Sequence, residues 1–461
     1  MIASDRVAIR VGTAKLVVDG TDETLTRQAK IALSPNRIQG RSLEGLVEWS
    51  RELYNGALQH RRDAWRIARV SISRYDQFLE LGALRGDHPQ VARYGNQPMR
   101  GALSRLDEAF AGFFRRQRDG RKAGYPRFRS AGRFRSVFYD EPVNWALRGL
   151  ANCGGGQFER PVLYVQGVGE LALSTRAARQ LRRLFDRGGE ARTLTITKTC
   201  SGSWRATVGF RGVHVSHLNQ NAEVGGVDRG ITVTAALPNG TLLRCPRFLD
   251  EARLQISTLQ RERAQHPKFS RDWKRCNRSI AKAYRAAHRR SENWARHAAK
   301  EIVAAYGVIS LEDLALRNMV RSARGSEGHP GKGVAAKKGL NRSIQEAALG
   351  RLAYWICVKA EEAGRRVWKV DPRNSSRECA ACGHTEPANR HREHFACRRC
   401  GHREHADVNA AQVLSSRGQA ADVRWRTEGS PLLKRPVPKN LRNRRKEQYG
   451  AGSAPHAAAV A

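Results

Sequence analysis

No apolar run in this sequence approaches the length of a membrane-spanning helix, and the first residues, MIASDRVAIR, lack the layout of a secretory signal. The expectation is a cytoplasmic protein with no membrane partner. Acidic residues are scarce: 43 Asp plus Glu stand against 83 Lys plus Arg, a net charge of +40. That excess is too large for solubility tuning and points to a polyanionic partner, with nucleic acid ahead of an anionic membrane. Cysteine is sparse and odd in number, nine in 461 residues. A secreted disulfide framework is thereby disfavoured, and a reducing cytoplasm fits. No internal repeat is visible, and the length allows about three domains.

Four of the cysteines are grouped. Cys379-x-x-Cys382 and Cys397-x-x-Cys400 are separated by fourteen residues, a spacing that brings four thiolates around one structural Zn²⁺. Gly383 and Gly401 follow the two knuckles and let the backbone turn under the sulfurs. Two disulfides or four unrelated thiols are the disfavoured alternatives. His384, His391, His394, His402 and His405 crowd the segment, and one could compete as a ligand.

Along the chain, Gln28 to Pro35 reads as a short strand with a proline stop, and residues 1–25 take no role. Leu43, Leu46, Trp49, Leu53, Ala57 and Leu58 recur at helical spacing, as do Leu103, Leu106, Phe110 and Phe113 after Pro98. Nine basic residues from Arg115 to Arg135 face one acid, with Tyr125, Phe128 and Phe134 interleaved. Cations meet phosphates and rings stack on unpaired bases, so Arg115, Arg116, Lys122, Tyr125, Arg127, Phe128 and Arg129 are candidate nucleic-acid contacts. The plainer alternative is a solvated loop whose rings anchor it to a core.

Residues 160–212 alternate as strands around a helix at Ser174 to Arg187. Together with the strand near Ile31 they suggest a small β-barrel split by a helical insertion at about 41–120. GVDRGITVTAAL, a Pro238-Asn239-Gly240 turn and TLLRC read as an antiparallel hairpin carrying Asp228. Asp250 to Tyr306 reads as a long basic helical hairpin broken near His266-Pro267. Val308 to Leu314 is a buried-type strand ending in Glu312 and Asp313, and Asn318 to Gly339 is a loop. Asn341 to Ala363 is an amphipathic helix, and Arg366 to Val370 a strand. A helix led by Asp407 follows the cysteine segment, and beyond Gly418 a disordered basic tail is expected.

Asp228, Glu312 and Asp407 then sit on a strand, a strand end and a helix start of one α/β unit. Three converging carboxylates can hold two Mg²⁺ ions for phosphodiester hydrolysis, because Mg²⁺ takes hard oxygen donors. Asp313 could replace Glu312, and each acid could instead cap a helix or pair with an arginine.

GVDRGI, VISLEDL and VDPRNSSRECAACGH…FACRRCGHREHADVNAAQVL resemble the three split RuvC motifs and zinc ribbon of the transposon-encoded TnpB nucleases, relatives of the miniature type V CRISPR effectors. ELYNGALQHR, AGYPRFRS and TLTITKTCSGSWRATVGF match in character and order, so the resemblance covers most of residues 28–416. It implies catalytic acids at Asp228, Glu312 and Asp407, and zinc ligands at Cys379, Cys382, Cys397 and Cys400. Arg229 departs from the pattern, which usually has a small or apolar residue there.

The implied fold is a multidomain α/β and α+β chain: an RNase H-like (RuvC) nuclease domain with an inserted zinc ribbon, and an N-terminal β-barrel (wedge) with a helical recognition insertion. The expected divisions are 1–40 (extension and first wedge strand), 41–120 (recognition helices), 121–220 (wedge), 221–378 (nuclease), 379–402 (ribbon), 403–417 (last nuclease helix) and 418–461 (tail). The implied activity is cleavage of double-stranded DNA directed by a guide RNA and a short flanking motif, in the cytoplasm and at the nucleoid; the oligomeric state is left open, with a monomer favoured over a dimer. A silent RNA-guided DNA-binding regulator, or an RNase H-like transposase or resolvase, are the alternatives.

Overall fold

The computed structural model describes residues 9–11, 14–150, 160–218, 223–326 and 328–428, and over these it divides the N-terminal strands between two sheets. β1 (Ile9–Val11) and β2 (Ala14–Val18) join a five-stranded sheet built mainly from the C-terminal half, whereas β3 (Thr24–Leu33) joins a four-stranded one. The segment without an assigned role therefore supplies an edge hairpin, with Ala14 and Leu16 buried against Trp368 and Val370.

After β3 comes α1 (Arg37–Asp63), started by a reciprocal cap. The Asn36 side chain accepts from the Gln39 N–H at 2.9 Å, and the Gln39 side chain accepts from the Asn36 N–H at 3.0 Å. Leu43, Leu46, Tyr54 and Leu58 form its buried stripe. Short helices α2 (Arg74–Leu79), α3 (Leu81–Asp87) and α4 (Pro89–Ala92) lead to α5 (Gln97–Arg118), which packs back on α1.

Next come β4 (Ser136–Tyr139), β5 (Trp145–Arg148), β6 (Val162–Val165), β7 (Gly169–Ala172), α6 (Thr175–Phe185), β8 (Glu190–Lys198) and β9 (Trp204–His214). The expected barrel strands form two antiparallel sheets, β3-β9-β8-β4 and β5-β6-β7, over one shared core that includes Ile31, Leu163, Ile196 and Phe210.

The second half carries the five-stranded sheet, ordered β1-β2-β16-β13-β10. β10 (Val224–Val227), β13 (Val308–Glu312) and β16 (Arg366–Val370) run parallel, and β2 lies antiparallel beside β16. β13 is buried at every position, as a central strand covered on both faces must be. Successive side chains alternate between those faces. Ile309 and Leu311 meet α8 (Arg271–Ala305) and α11 (Leu349–Glu362), while Val308 meets α12 (Ala406–Thr427).

Close approach of α12 to β10 depends on Gly226: a Cβ there would lie 2.0 Å from the Ala411 carbonyl oxygen. Gly226→Val is expected to destabilise the chain by about 3 kcal/mol, because neither backbone can yield without lifting α12 off the sheet. Thermal melting checks it, and a melting temperature equal to wild type would contradict this packing.

Four sequence expectations change. The hairpin carrying Asp228 is reduced to an Asp228–Ala236 bridge and two-residue strands β11 (Ala235–Ala236) and β12 (Leu242–Leu243). Residues 229–234 leave the ladder, because Arg229 turns its guanidinium inward to the carbonyls of Glu312 and Leu349. The expected long helical pair is present as α7 (Phe248–Ala264) and α8.

The expected loop 318–339 holds the end of α9 (Leu316–Met319), a small hairpin of β14 (Gly325–Ser326) and β15 (His329–Pro330), and the start of α10 (Val334–Glu346). The expected single helix over 341–363 is split between α10 and α11 at Ala348, whose φ is 54°. That kink seats Ile344, Ala347 and Leu349 against Leu316 and Met319.

Finally, α12 continues to Thr427 instead of ending near Gly418. Its extension covers the sheet: Asp422 is buried and accepts from Arg366 at 2.6 Å and from the Trp368 indole at 3.1 Å. The rest of the expected tail, 429–461, lies outside the described residues. No described helix is long and apolar enough to cross a membrane.

Candidate active site

Strand parity decides where the three acids go. Gly226 faces α12, so Asp228, two residues on, leaves β10 on the same side. Val308 and Ser310 of β13 face α12 as well, so Glu312 follows them. Val227 pairs with Leu311, which brings Asp228 and Glu312 to adjacent C-terminal strand ends. Asp407 stands in the first turn of α12, above that face. The Asp228 and Glu312 carboxyls hydrogen-bond each other, and the charge of Asp407 reaches both. Asp313 points elsewhere, paired with Lys15 of β2, so it does not replace Glu312.

The cluster is electrostatically costly without a cation. Burial first, then the charges of Glu312 and Asp407, push the Asp228 carboxyl up to about 8. Burial raises Glu312 too. The pair therefore retains a shared proton near neutral pH. Three hard-oxygen donors are of the chemistry that suits Mg²⁺, although their oxygens do not all come within 4.8 Å of one another as the ribbon sulfurs do.

Two arginines frame the acids, and sequence reading assigned neither a role there. Arg229 is buried: its backbone N–H donates to the Glu312 carboxylate at 3.2 Å, and its guanidinium donates to the Glu312 carbonyl at 2.6 Å. Arg229 thus positions Glu312 from both ends. Arg390 arrives from the cysteine segment and donates to the Asp407 carboxylate at 2.8 Å. Pairing of an acid with an arginine, the plain alternative to metal binding, is thus realised at Asp407 within the same cluster. Its only sequence signal was a basic residue between the two knuckles.

The cysteine segment is built on repeated geometry. The Cys379 N–H donates to the His384 carbonyl at 2.9 Å and the Cys397 N–H to the His402 carbonyl at 2.8 Å. Gly383 and Gly401 turn each knuckle with φ of 72° and 75°, the left-handed region glycine favours. The four sulfurs lie within 4.8 Å of one another, with Cys379–Cys400 at 3.7 Å and Cys382–Cys397 at 3.6 Å. Backbone N–H groups hold the Cys397 thiol down to about 6, while burial pushes Cys379 up to about 12. This all-sulfur tetrad fits one tetrahedral Zn²⁺. None of the five histidines joins it.

Two buried asparagines fasten the ribbon. Asn389 accepts from the Arg398 N–H at 3.0 Å and donates to the Arg377 carbonyl at 3.0 Å. Asn409 of α12 accepts from the Ala380 N–H at 3.0 Å and donates to the Glu378 carbonyl at 2.7 Å. The third acid and the ribbon are therefore set by the same first turns of α12.

The candidate nucleic-acid residues lie apart from the acids, Arg115 and Arg116 at the end of α5 and the others on the following loop, which is pinned to α1. Asn55 and the Arg129 backbone exchange hydrogen bonds at 2.8 and 3.0 Å. Arg115, Lys122, Arg127 and Arg129 are exposed, while Arg116 is half-buried and donates to the Gly124 carbonyl at 3.4 Å. Tyr125 packs edge-on against Phe110 and Phe113, and Phe128 lies under Arg62, yet both rings keep over 40% of their surface open. Phe134 is instead a core residue beside Tyr54. A cavity of about 480 Å³ lies among α1 to α5, lined by Trp49, Leu53 and Leu84 and by none of the acid cluster.

Comparison with known proteins finds similarity over much of the chain. Residues 350–414 match the family model described as Cas12f1-like, TNB domain, and residues 213–323 match one described as Probable transposase. The chain is 27% identical over 345 residues to the Escherichia coli (strain K12) protein named Putative RNA-guided DNA endonuclease InsQ, covering 74% of this chain and 80% of that one. It is 41% identical over 76 residues to the CRISPR-associated endodeoxyribonuclease Cas12f1 of Sulfoacidibacillus thermotolerans, 16% of this chain and 18% of that one. The solved mini-RNA-guided endonuclease CRISPR-Cas_phi3 superimposes with a TM-score of 0.52 at 11% identity, covering 88% of this chain and 93% of that chain, a likeness of fold alone. The chain is TnpB-like and similar to the miniature type V effectors.

Proposed function

We propose that this chain is an RNA-guided, Mg²⁺-dependent DNA endonuclease whose reacting site is Asp228, Glu312 and Asp407. The observation that carries the reading is the gathering of three carboxyls at two parallel strand ends and a helix start, where burial and the charges of Glu312 and Asp407 push Asp228 up to about 8. Two Mg²⁺ ions bound there would activate a water and stabilise the leaving 3′-oxygen. The chain's own part is to hold the carboxylates in place: Arg229 fixes Glu312, and Arg390 orients Asp407.

In this reading residues 221–378 and 403–417, with the edge strands β1 and β2, form an RNase H-like (RuvC) unit. Residues 379–402 are its zinc ribbon. Residues 41–120 and 121–220, with β3, hold guide RNA and a flanking duplex motif. Arg115, Arg116, Lys122, Arg127 and Arg129 meet phosphates there, and Tyr125 and Phe128 offer open ring faces to bases. The RNA guide rests on the names of the relatives, and base pairing would then supply sequence choice. The protein would act as a monomer in the cytoplasm, at nucleoid DNA. The deciding experiment is cleavage of a plasmid bearing target and motif by protein copurified with its RNA. Cutting that survives ribonuclease treatment, with no RNA added, would favour a transposase that reads DNA directly.

The same carboxyls make a linked pH prediction. Both are raised above their unfolded values, so the folded chain keeps protons that the unfolded chain has released. Stability of the metal-free protein therefore falls as pH rises from about 4 towards about 8. Mg²⁺ displaces the retained proton, so the rise in melting temperature it causes is expected to be larger at about pH 9 than at about pH 6. An equal rise at both would remove the Mg²⁺ assignment.

A further inference from the structure

A second group of ligand-type side chains sits at the tip of the α7–α8 hairpin, roughly 30 Å along α8 from where Ala298 and Ile302 pack on the sheet. Glu262 lies in the last turn of α7, and His266 follows four residues later, just past its end. A turn there, in which the His266 N–H donates to the Arg263 carbonyl at 3.3 Å, brings the imidazole back beside Glu262. Cys276 lies in the second turn of α8 and is buried. One carboxylate oxygen, one imidazole nitrogen and the thiol sulfur lie within 4.8 Å of one another.

The seam of the hairpin argues that this is more than packing. Ile256 and Leu259 of α7 meet Ile280 and Ala283 of α8. Glu262 continues the first stripe three residues beyond Leu259, and Cys276 continues the second four residues before Ile280. The next inward layer would ordinarily be Leu or Ala, yet it holds a carboxylate, an imidazole and a thiol. The thiol is buried, and Glu262 and His266 stand half-buried beside it, Glu262 with 41% of its side chain open to water. Arg275 approaches Glu262 at only 3.7 Å and makes its shorter contact, 2.9 Å, with Asp272. The connecting turn is also strained, with Phe269, a non-glycine residue, at φ 69°.

We propose that Glu262, His266 and Cys276 bind one Zn²⁺, with water as fourth ligand, and that the ion clips the tip of the hairpin. A mixed sulfur, nitrogen and oxygen set suits Zn²⁺ and is rejected by Mg²⁺, which takes oxygens. Tetrahedral zinc sets such donors about 3.5 Å apart, so from the 4.8 Å limit the trio needs to contract by about 1.3 Å at most. The sulfurs of the ribbon meet the same 4.8 Å limit. This site is independent of the nuclease reading and of the acid cluster.

The test is zinc content of the full chain, saturated with Zn²⁺ and freed of excess. The wild type is expected to hold about two zinc ions, one in the ribbon and one in the hairpin, and Cys276→Ser and His266→Ala about one each. Titration of the ribbon-loaded wild type with Co²⁺ should develop a thiolate-to-metal charge-transfer band that Cys276→Ser lacks. His266→Ala, which leaves the buried thiol in place, should bind Co²⁺ at least about tenfold more weakly. One zinc ion in all three proteins with no such band, or two in all three, overturns the proposal. Neither result bears on DNA cleavage.

Discussion

Asp228→Asn is expected to abolish plasmid cleavage by the RNA-loaded protein while making the metal-free fold more stable. The two effects have one cause. The wild-type carboxyl is buried beside Glu312 and within reach of the charge of Asp407, which pushes it up to about 8. An amide keeps nearly the same shape and needs no retained proton to sit beside Glu312, so the melting temperature without Mg²⁺ should rise at neutral pH. For the reaction the same charge is indispensable, because a metal site with one fewer carboxylate loses several kcal/mol of transition-state stabilisation. About 4 kcal/mol corresponds to about a 10³-fold loss of rate. Binding of target DNA should persist, since the exposed basic residues of the 115–129 segment are untouched. Single-turnover cleavage, melting and DNA binding measured on one preparation separate these outcomes. Cleavage within tenfold of wild type would sink the acid cluster as the reacting site. Binding without cleavage in the wild type itself would leave a silent RNA-guided binder.

The sign of the stability change also separates the acids from their arginine neighbours. Asp228 sits among like charges, whereas Arg229 makes hydrogen bonds to the Glu312 carbonyl and the Leu349 carbonyl from inside the fold. Removing the arginine would unseat the end of β13 and the start of α11 together. An acid whose loss stabilises is held against its own preference, which is the mark of a group kept for binding a cation.

Much of the site was legible because its signals are local. The Cys-x-x-Cys knuckles with their glycines form a complete short-range pattern. Asp228, Glu312 and Asp407 each end or begin an apolar run, so strand parity alone puts the first two on one face. What was hidden depends on long-range packing. Arg229 reads as a departure from a motif, and only its inward turn to Glu312 gives it a task. Arg390 is one basic residue among many until the ribbon folds over Asp407. The edge hairpin β1–β2 has too little sequence to declare its partner, which lies about 350 residues away in β16. Gly418 reads as a helix stop, yet a Cβ there would lie 2.5 Å from the Ser310 Cβ, so glycine is what lets α12 continue across the sheet. Ala348 gives no warning of its left-handed turn, because the contacts that impose it, Ile344 and Leu349 against Leu316 and Met319, come from α9.

Removal of zinc from the ribbon is expected to silence the acid cluster without touching an acid. The only apolar residues buried at the ribbon are Cys379, Phe395, Cys397 and Ala406, far too few to hold residues 379–402 together. A structural Zn²⁺ supplies roughly 10–16 kcal/mol in comparable small units, so the ribbon should open when the ion leaves. Opening frees Asn409 from Ala380 and Glu378 and withdraws Arg390 from Asp407. The third carboxylate then loses the contacts that orient it. Cys397→Ser, or chelation, should accelerate amide exchange over 379–402 and at the first turn of α12, and lower cleavage by at least about 100-fold. Strands β3, β8 and β9 should stay protected, since their core shares no residue with the ribbon. Restoring zinc to the chelated protein should recover both exchange protection and cleavage. Arg390→Met separates the two roles of the ribbon: it should lower cleavage with the zinc content and the exchange of 379–402 unchanged. Folded, protected protein found without zinc would mean that the four thiols need no metal to hold Asn409 and Arg390 in place, and the expected loss of cleavage on zinc removal would not follow.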